Sequence, residues 1–214
     1  MAKIYLVRHA ESIANTRGIY QGQTHDTVLS ELGRKQAAKL ASALESIEID
    51  RIICSPLKRT FMTALECSKA LKVPLETDTR ILETNHGNWE GKSIDWVTKH
   101  YPVEQRLWSE NPQDIKFPMG ETLYDVQKRV RNFLLSQKWR ENTLIITHDN
   151  IVRTILTIIE HSKLSKFWFH KIVPTGITEV TAVGSNGKRN FQIEKISDKR
   201  HLSNLSVNTV LHAL

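Results

Sequence analysis

The chain has 214 residues, 40% of them hydrophobic and 25% charged, which suits one sizeable globular unit with a substantial core. Its formal charge is +7, yet the 30 Lys and Arg form no run of five or more and the five Trp are not interleaved with basic clusters, so the excess charge points to small anions and away from nucleic acid. No apolar run approaches the ~20 residues of a membrane span, "MAKIYLV" passes straight into charge without a signal-peptide pattern, and Cys54 and Cys67 read as free thiols, so the expected compartment is the cytoplasm.

The apolar run Ile4 to Val7 predicts a first strand that stops at Arg8-His9. Ser30 can cap a helix whose apolar positions Ala37, Leu40, Ala41 and Leu44 keep helical spacing. "RIIC" at 51–54 predicts the next strand, running through "SPLKR" into a helix with Phe61, Ala64 and Leu65 on one face. A short strand near 75–77 follows Pro74. Residues 93–110 read as helical with a break at Tyr101-Pro102, because proline disfavours helical geometry in the residue before it. Thr122 to Ser136 predicts an amphipathic helix with Leu123, Val126, Val130, Phe133 and Leu134 inward. "TLIIT" at 143–147 predicts an all-apolar strand, followed by a helix through Ile151, Ile155, Leu156 and Ile159. Two late strands, around 177–183 and 190–196, are joined by the turn "GSNGK". This alternation argues for an α/β sandwich with a largely parallel sheet covered on both faces. Residues 1–214 read as a single domain, in which the polar, Trp-containing and irregular segment 84–120 is an insertion over one end of the sheet, a lid or substrate wall.

Three of the predicted strands end in the same manner. Val7 is followed by Arg8-His9, Cys54 by Ser55-Pro56-Leu57-Lys58-Arg59, and Thr147 by His148-Asp149-Asn150. Ligands of open α/β sheets bind outside the carboxyl ends of the strands, so parallel strands bring Arg8, His9, Arg59 and His148 to one rim. Arginine forks match phosphate oxygens with paired, charge-assisted hydrogen bonds, and helix starts after Ser55-Pro56 and His148 add backbone N–H groups. A phosphate dianion is the natural guest. A histidine there can attack phosphorus, and the surrounding positive charge keeps it neutral. The leaving oxygen then needs an acid. Glu83, in "ILETNHGNWEG", is the best-placed carboxyl, with a pKa raised by repulsion from the bound phosphate; Glu11 and Glu90 are its rivals.

These residues resemble the histidine phosphatase superfamily, the group that contains cofactor-dependent phosphoglycerate mutases and related phosphatases. "LVRHAES" is similar to its nucleophile motif, "SPLKRTFMTA" to its second arginine motif, "ILETNHGNWEG" to its acid motif and "IITHDNIVR" to its second histidine motif, in the family's order and over nearly the whole chain. The resemblance implies a three-layer α/β/α sandwich with a mostly parallel central sheet and one antiparallel strand. It implies that His9 is phosphorylated, that Arg8, Arg59 and His148 hold the phosphate oxygens, and that Glu83 is first acid and then base. Asn15, Gln21 and Gly22, in "NTRGIYQG", match positions lining the same pocket. No metal and no cofactor are implied, and a homodimer is plausible.

Mutases of this group carry "ERHYG" after the acid and an Arg-Arg pair later; here Glu83 is followed by Thr84-Asn85-His86-Gly87, and no Arg-Arg pair occurs. That favours hydrolysis of a small phosphorylated metabolite. "ETNHGNWEG", "LSKFWF" at 164–169 and "KRHLSN" resemble the metal-independent phosphoserine phosphatases, which makes L-phosphoserine the expected substrate and His86 the expected contact to its carboxylate. Phosphoglycerate mutase activity, and hydrolysis of ribazole phosphate or sugar phosphates, are the alternatives. Two further classes are a metal-dependent hydrolase built from His9, His148, Asp149 and Glu83, against which stands the lack of H-x-x-x-H or D-x-D spacing, and a non-catalytic phosphate-binding regulatory subunit. His25, His100, His161, His170, His201 and His212 read as surface or packing residues, with His201 on a tail that could fold back over the pocket.

Overall fold

The computed structural model describes residues 2–185, 188–203 and 205. Its strands are β1 (Ala2–Arg8), β2 (Arg51–Cys54), β3 (Leu75–Thr77), β4 (Thr143–Thr147), β5 (Ile177–Ser185) and β6 (Lys188–Asp198). The helices are α1 (Ile13–Thr16), α2 (Glu31–Leu44), α3 (Lys58–Leu71), α4 (Ile94–His100), α5 (Pro102–Glu110), α6 (Leu123–Ser136) and α7 (Asp149–Ile159). The strands lie in the order β3-β2-β4-β1-β5-β6. β3, β2, β4 and β1 pair in parallel, and β5 is antiparallel to both β1 and β6. Five strands therefore point one way and β5 alone is reversed, as the resemblance implied. The turn predicted at "GSNGK" includes Asn186 and Gly187, which lie outside the described residues, as do Asn204 of "KRHLSN" and His212.

Alternation along each central strand creates the two outer layers. Ile4, Leu6 and Ile145 pack with Val126, Val130 and Phe133 of α6 and with Ile151 and Ile155 of α7. Their neighbours Tyr5, Val7, Leu144 and Ile146 pack on the opposite face with Leu40 and Leu44 of α2 and with Ala64 and Cys67 of α3. Successive strand residues point to opposite faces, so two helix layers need apolar residues at every position, and all five residues of β4 are buried.

The predicted cap at Ser30 and break at Tyr101-Pro102 hold, and Thr122, read from the sequence as the first helical residue, caps α6 instead. The Ser30 side chain accepts from the amide of Gly33, Thr122 and Asp125 form a capping box at α6, and Tyr101 separates α4 from α5, which begins with Pro102. The face of α3 is a correction. Arg59, Thr60, Thr63, Ala64 and Cys67 are buried, while Phe61 is 39% exposed. Turning the Arg59 guanidinium inward places Thr63 and Cys67, at helical spacing from it, beneath it, and Phe61 rotates outward. Segment 84–120 carries the broken helix expected over 93–110. It contains α4 and α5, and Trp89, Trp108 and Phe117 build a core of their own with Tyr20 and Phe167. No helix among the described residues is long and apolar enough to cross a membrane.

Close approach of α2 to the loop after β1 depends on Gly33. A Cβ there would stand 1.9 Å from the backbone oxygen of Glu11. Alanine is ordinarily better than glycine inside a helix by about 1 kcal/mol. Here the sign reverses, and Gly33→Ala is expected to lower the denaturation midpoint by an amount equivalent to roughly 1–3 kcal/mol, measured by urea unfolding.

Candidate active site

The carboxyl ends of β1, β2 and β4 meet in register. Arg8 stands opposite Thr147, and Cys54 opposite Ile146. The ladder continues one step beyond the strands, with the His9 amide donating to the Thr147 carbonyl (2.8 Å) and the Ser55 amide to the Ile146 carbonyl (3.1 Å). This extension delivers His9, Ser55 and His148 to one place. The His9 and His148 rings meet edge to face with centroids 5.3 Å apart.

The hydrogen bonds select tautomers. His9 Nδ1 lies 2.7 Å from the Ala10 carbonyl, which can only accept. Nδ1 therefore carries a proton, and in the neutral form of the ring the lone pair lies on Nε2. His148 Nε2 is 2.8 Å from Ser55 Oγ, and its buried Nδ1 has no partner among the described residues. Burial, reinforced by the charges of Arg59 and His9, holds the His148 pKa well below the usual range. If the Ser55 hydroxyl donates to Nε2, the Nδ1–H is left to meet an oxyanion.

Arg8 and Arg59 are each 1% exposed and are held by the same device. Arg8 Nη1 donates to Asp149 Oδ1 (3.3 Å) and the Ile172 carbonyl (3.2 Å). Arg59 Nη1 donates to Asp26 Oδ1 (3.2 Å), and its Nη2 to the Gly22 carbonyl (2.8 Å). Beyond these contacts Nε and Nη2 of Arg8 and Nε of Arg59 are buried without partners among the described residues. Unmet donors on a buried cation are unfavourable by several kcal/mol, and an anion in the site satisfies them. Asp149 uses its second oxygen on Arg153 Nε (2.8 Å), whose guanidinium lies over the Trp168 ring. Among the described residues no group of three or more His, Cys, Asp or Glu could hold a metal ion.

Glu83 is 3% exposed, and burial pushes its carboxyl pKa up to about 7. The amide of Thr84 donates to Oε1 (2.9 Å) and, with the charges of Arg59 and Arg8, works in the opposite direction; Asp149 raises the value. Burial thus acts in addition to the repulsion expected from a bound phosphate. Dehydration raises this acid before any phosphate arrives. The rivals are otherwise employed. Glu11 Oε1 accepts from Ser30 Oγ (2.6 Å). Glu90 accepts from the amides of Gln23 (3.0 Å), Thr24 (2.6 Å) and His86 (2.9 Å), stitching two loops together.

Residues 4–198 match the family described as the histidine phosphatase superfamily (branch 1). The chain belongs to this superfamily. It is 40% identical over 171 residues to phosphoserine phosphatase 1 of Hydrogenobacter thermophilus, covering 78% of this chain and 81% of that one. It is 32% identical over 205 residues to the putative phosphoserine phosphatase 2 of the same organism, covering 95% and 100%. The solved structure of Bacillus stearothermophilus YhfR superposes with a TM-score of 0.88 at 27% identity, covering 94% of this chain and all of that one. The chain is accordingly a phosphoric monoester hydrolase.

Of the remaining expected positions in this histidine phosphatase, Gly22 gives its carbonyl to Arg59, whereas Asn15 and Gln21 bond to the neighbouring Ser12 and Thr27. Asn15 Oδ1 accepts from the Ser12 amide (3.0 Å), and Gln21 Oε1 from Ser12 Oγ (2.9 Å) and Thr27 Oγ1 (3.1 Å). Gly22 has φ +53, and a Cβ would stand 1.9 Å from Glu90 Oε1, so the turn that gives its carbonyl to Arg59 has room only for glycine. His86 is fully buried among Tyr20, Trp108 and Phe117. Burial, and then the charge of Arg59, pushes its pKa down to about 3. Its Nε2 faces Asn150 Nδ2 at 3.3 Å, and its Nδ1 is a buried atom without a partner. His201 Nε2 is 3.4 Å from Thr175 Oγ1, and the Thr175 amide donates to the Arg8 carbonyl (2.9 Å); residues 206–214, on which a folded-back tail depends, lie outside the described residues.

Sequence reasoning missed Ser55, Asp26 and Asp149 as supports. The one available signal was the helical spacing of Asp149 and Arg153, which pairs them on one face.

Because native Glu83 keeps its proton up to about pH 7, while an unfolded glutamic acid loses it near its ordinary pKa, this group's contribution to stability falls as pH rises between those values. Glu83→Gln removes that loss. The variant is expected to gain up to about 3 kcal/mol over the parent near pH ~8 and to lose the advantage near pH ~4, read as Tm against pH.

Proposed function

We propose that this phosphatase is a metal-independent phosphomonoesterase that acts through a phosphohistidine on His9, with L-phosphoserine as its substrate. The observation that carries the reading is the set of buried, unpartnered nitrogens on Arg8, Arg59 and His148 beside the His9 ring. Together they offer an anion several fixed donors in a site where water contributes little screening. Asn15, Gln21 and Gly22 complete the wall of the phosphate site.

In the first step the Nε2 lone pair of His9 attacks phosphorus in line. The bond to the leaving oxygen breaks, and Glu83 gives that oxygen its proton, releasing the alcohol. In the second step the Glu83 carboxylate takes a proton from water as the water attacks the phosphohistidine. Inorganic phosphate leaves, and His9 and protonated Glu83 are restored. A carboxyl with a pKa of about 7 suits both duties near neutral pH. Quenching a reaction with labelled phosphoserine is expected to trap an acid-labile, base-stable phosphoenzyme, equally with and without EDTA and absent from His9→Ala. An acid-stable adduct, or an undiminished burst in His9→Ala, would reject the mechanism.

The substrate assignment draws on the two relatives named as phosphoserine phosphatases and on His86. With Nε2 accepting from Asn150, the proton sits on Nδ1. A neutral N–H donor, unpartnered in its aromatic surroundings, is available to the substrate carboxylate. His86→Ala is expected to raise KM for phosphoserine about tenfold or more, the worth of one buried hydrogen bond to a charged group, with a smaller effect on p-nitrophenyl phosphate. Equal effects on the two substrates would count against the carboxylate role.

A further inference from the structure

We infer that Arg129, paired with Glu121, is a positioning residue for the general acid, fixing the backbone of the loop from which Glu83 acts. The inference rests on the proposed role of Glu83. Arg129 belongs to α6, which is anchored by its buried neighbours Val126, Val130 and Phe133.

The guanidinium spends all of its donors locally. Nε and Nη2 grip Glu121 as a fork, at 2.8 Å to Oε1 and 3.1 Å to Oε2. Nη1 donates to the carbonyls of Arg80 (2.8 Å) and Leu82 (2.7 Å), and Nη2 also donates to the carbonyl of Glu83 (3.0 Å). A guanidinium has five N–H groups in a rigid plane, and here every one has an acceptor. Three of the five acceptors lie on one short stretch of chain that has no strand partner to satisfy its carbonyls. The other two belong to Glu121, whose Oε2 accepts from the amide of Asn85 (2.8 Å) on the far side of Glu83. Gln23 Nε2 adds a second donor to the Glu83 carbonyl (2.8 Å). The backbone of Glu83 is thus pinned before, at and after the residue, and only its side-chain torsions remain to aim the carboxyl. Lysine could supply the charge at 129 but not the planar set of five donors.

A general acid must lie within hydrogen-bond reach of the oxygen it protonates, and a displacement of about 1 Å can lower the rate on the order of 100-fold. That sensitivity depends on the leaving group. An alkoxide needs the proton in the transition state, whereas nitrophenolate leaves without it. The test therefore compares kcat/KM, which reports the steps up to phosphoenzyme formation, for phosphoserine or another alkyl phosphomonoester against p-nitrophenyl phosphate.

Arg129→Met and Arg129→Lys are expected to lose roughly 10- to 100-fold on the alkyl ester and about threefold or less on the aryl ester. Glu121→Gln, which keeps the volume and removes one half of the fork, is expected to show the same bias at smaller size. It keeps the test readable if Arg129→Met does not fold. Equal losses on the two substrates, or no loss on either, overturn the inference. Glu83→Gln is run beside them. A biased Glu83→Gln with unbiased Arg129 and Glu121 variants overturns the positioning role alone, whereas an unbiased Glu83→Gln overturns the acid assignment on which it rests.

Discussion

Two guanidinium groups lie almost wholly out of water at the carboxyl edge of the sheet, and most of the surrounding construction follows from keeping them there. A buried charge that loses its partner destabilises a protein by several kcal/mol. Arg8 and Arg59 each receive one carboxylate and one backbone carbonyl, Asp149 with Ile172 and Asp26 with Gly22. Each set of partners comes from a different part of the chain. The loop at 22–26 must therefore lie against the start of α3, where Asp26 also accepts from the amide of Lys58 (2.7 Å). The segment after α7 must reach back to β1. Satisfaction is only partial, and the nitrogens left over are the donors on which the proposed phosphate site rests.

The same dehydration that makes those donors strong also sets the acid. Glu83 is held near neutral pH by burial, while the two arginines pull its pKa the other way and Asp149 pushes it up. One carboxylate thus serves two ends, gripping Arg8 and Arg153 and moderating the cationic field felt by Glu83. Arg153 extends this chain of contacts to Trp168 and the carbonyl of His170, so the "LSKFWF" segment is mechanically joined to Arg8 although it is remote in sequence.

Much of this was legible from residue order. The strands ending in Arg8-His9, Cys54-Ser55 and Thr147-His148 were continuous apolar runs, and a parallel sheet leaves few ways to arrange their charged ends. The cap at Ser30 and the break at Tyr101 are local chemistry and need no tertiary knowledge. What escaped notice depends on contacts between distant segments. Phe61 looked inward by apolar periodicity, but the burial of Arg59 governs the rotation of α3. Segment 84–120 looked polar because its aromatic residues are spaced irregularly, and only folding gathers Trp89, Trp108 and Phe117. Asp26 lies in no motif, and Ser55 and Asp149 lie inside motifs that do not state what they support. Their significance lies in which arginine or imidazole they meet, and that is a property of the assembled rim.

Cys54 and Cys67 lie in the layer between the sheet and α2–α3, fully buried, and burial pushes both thiols up to about 12. A thiol in that condition has almost no thiolate at neutral pH and is inert to alkylating reagents and oxidants. Cys54 nevertheless immediately precedes Ser55, the residue whose hydroxyl meets His148. The molecule therefore carries an internal clock for its own opening: labelling of these sulfurs proceeds only as fast as that layer separates, and so reports the local stability of the wall that supports the site.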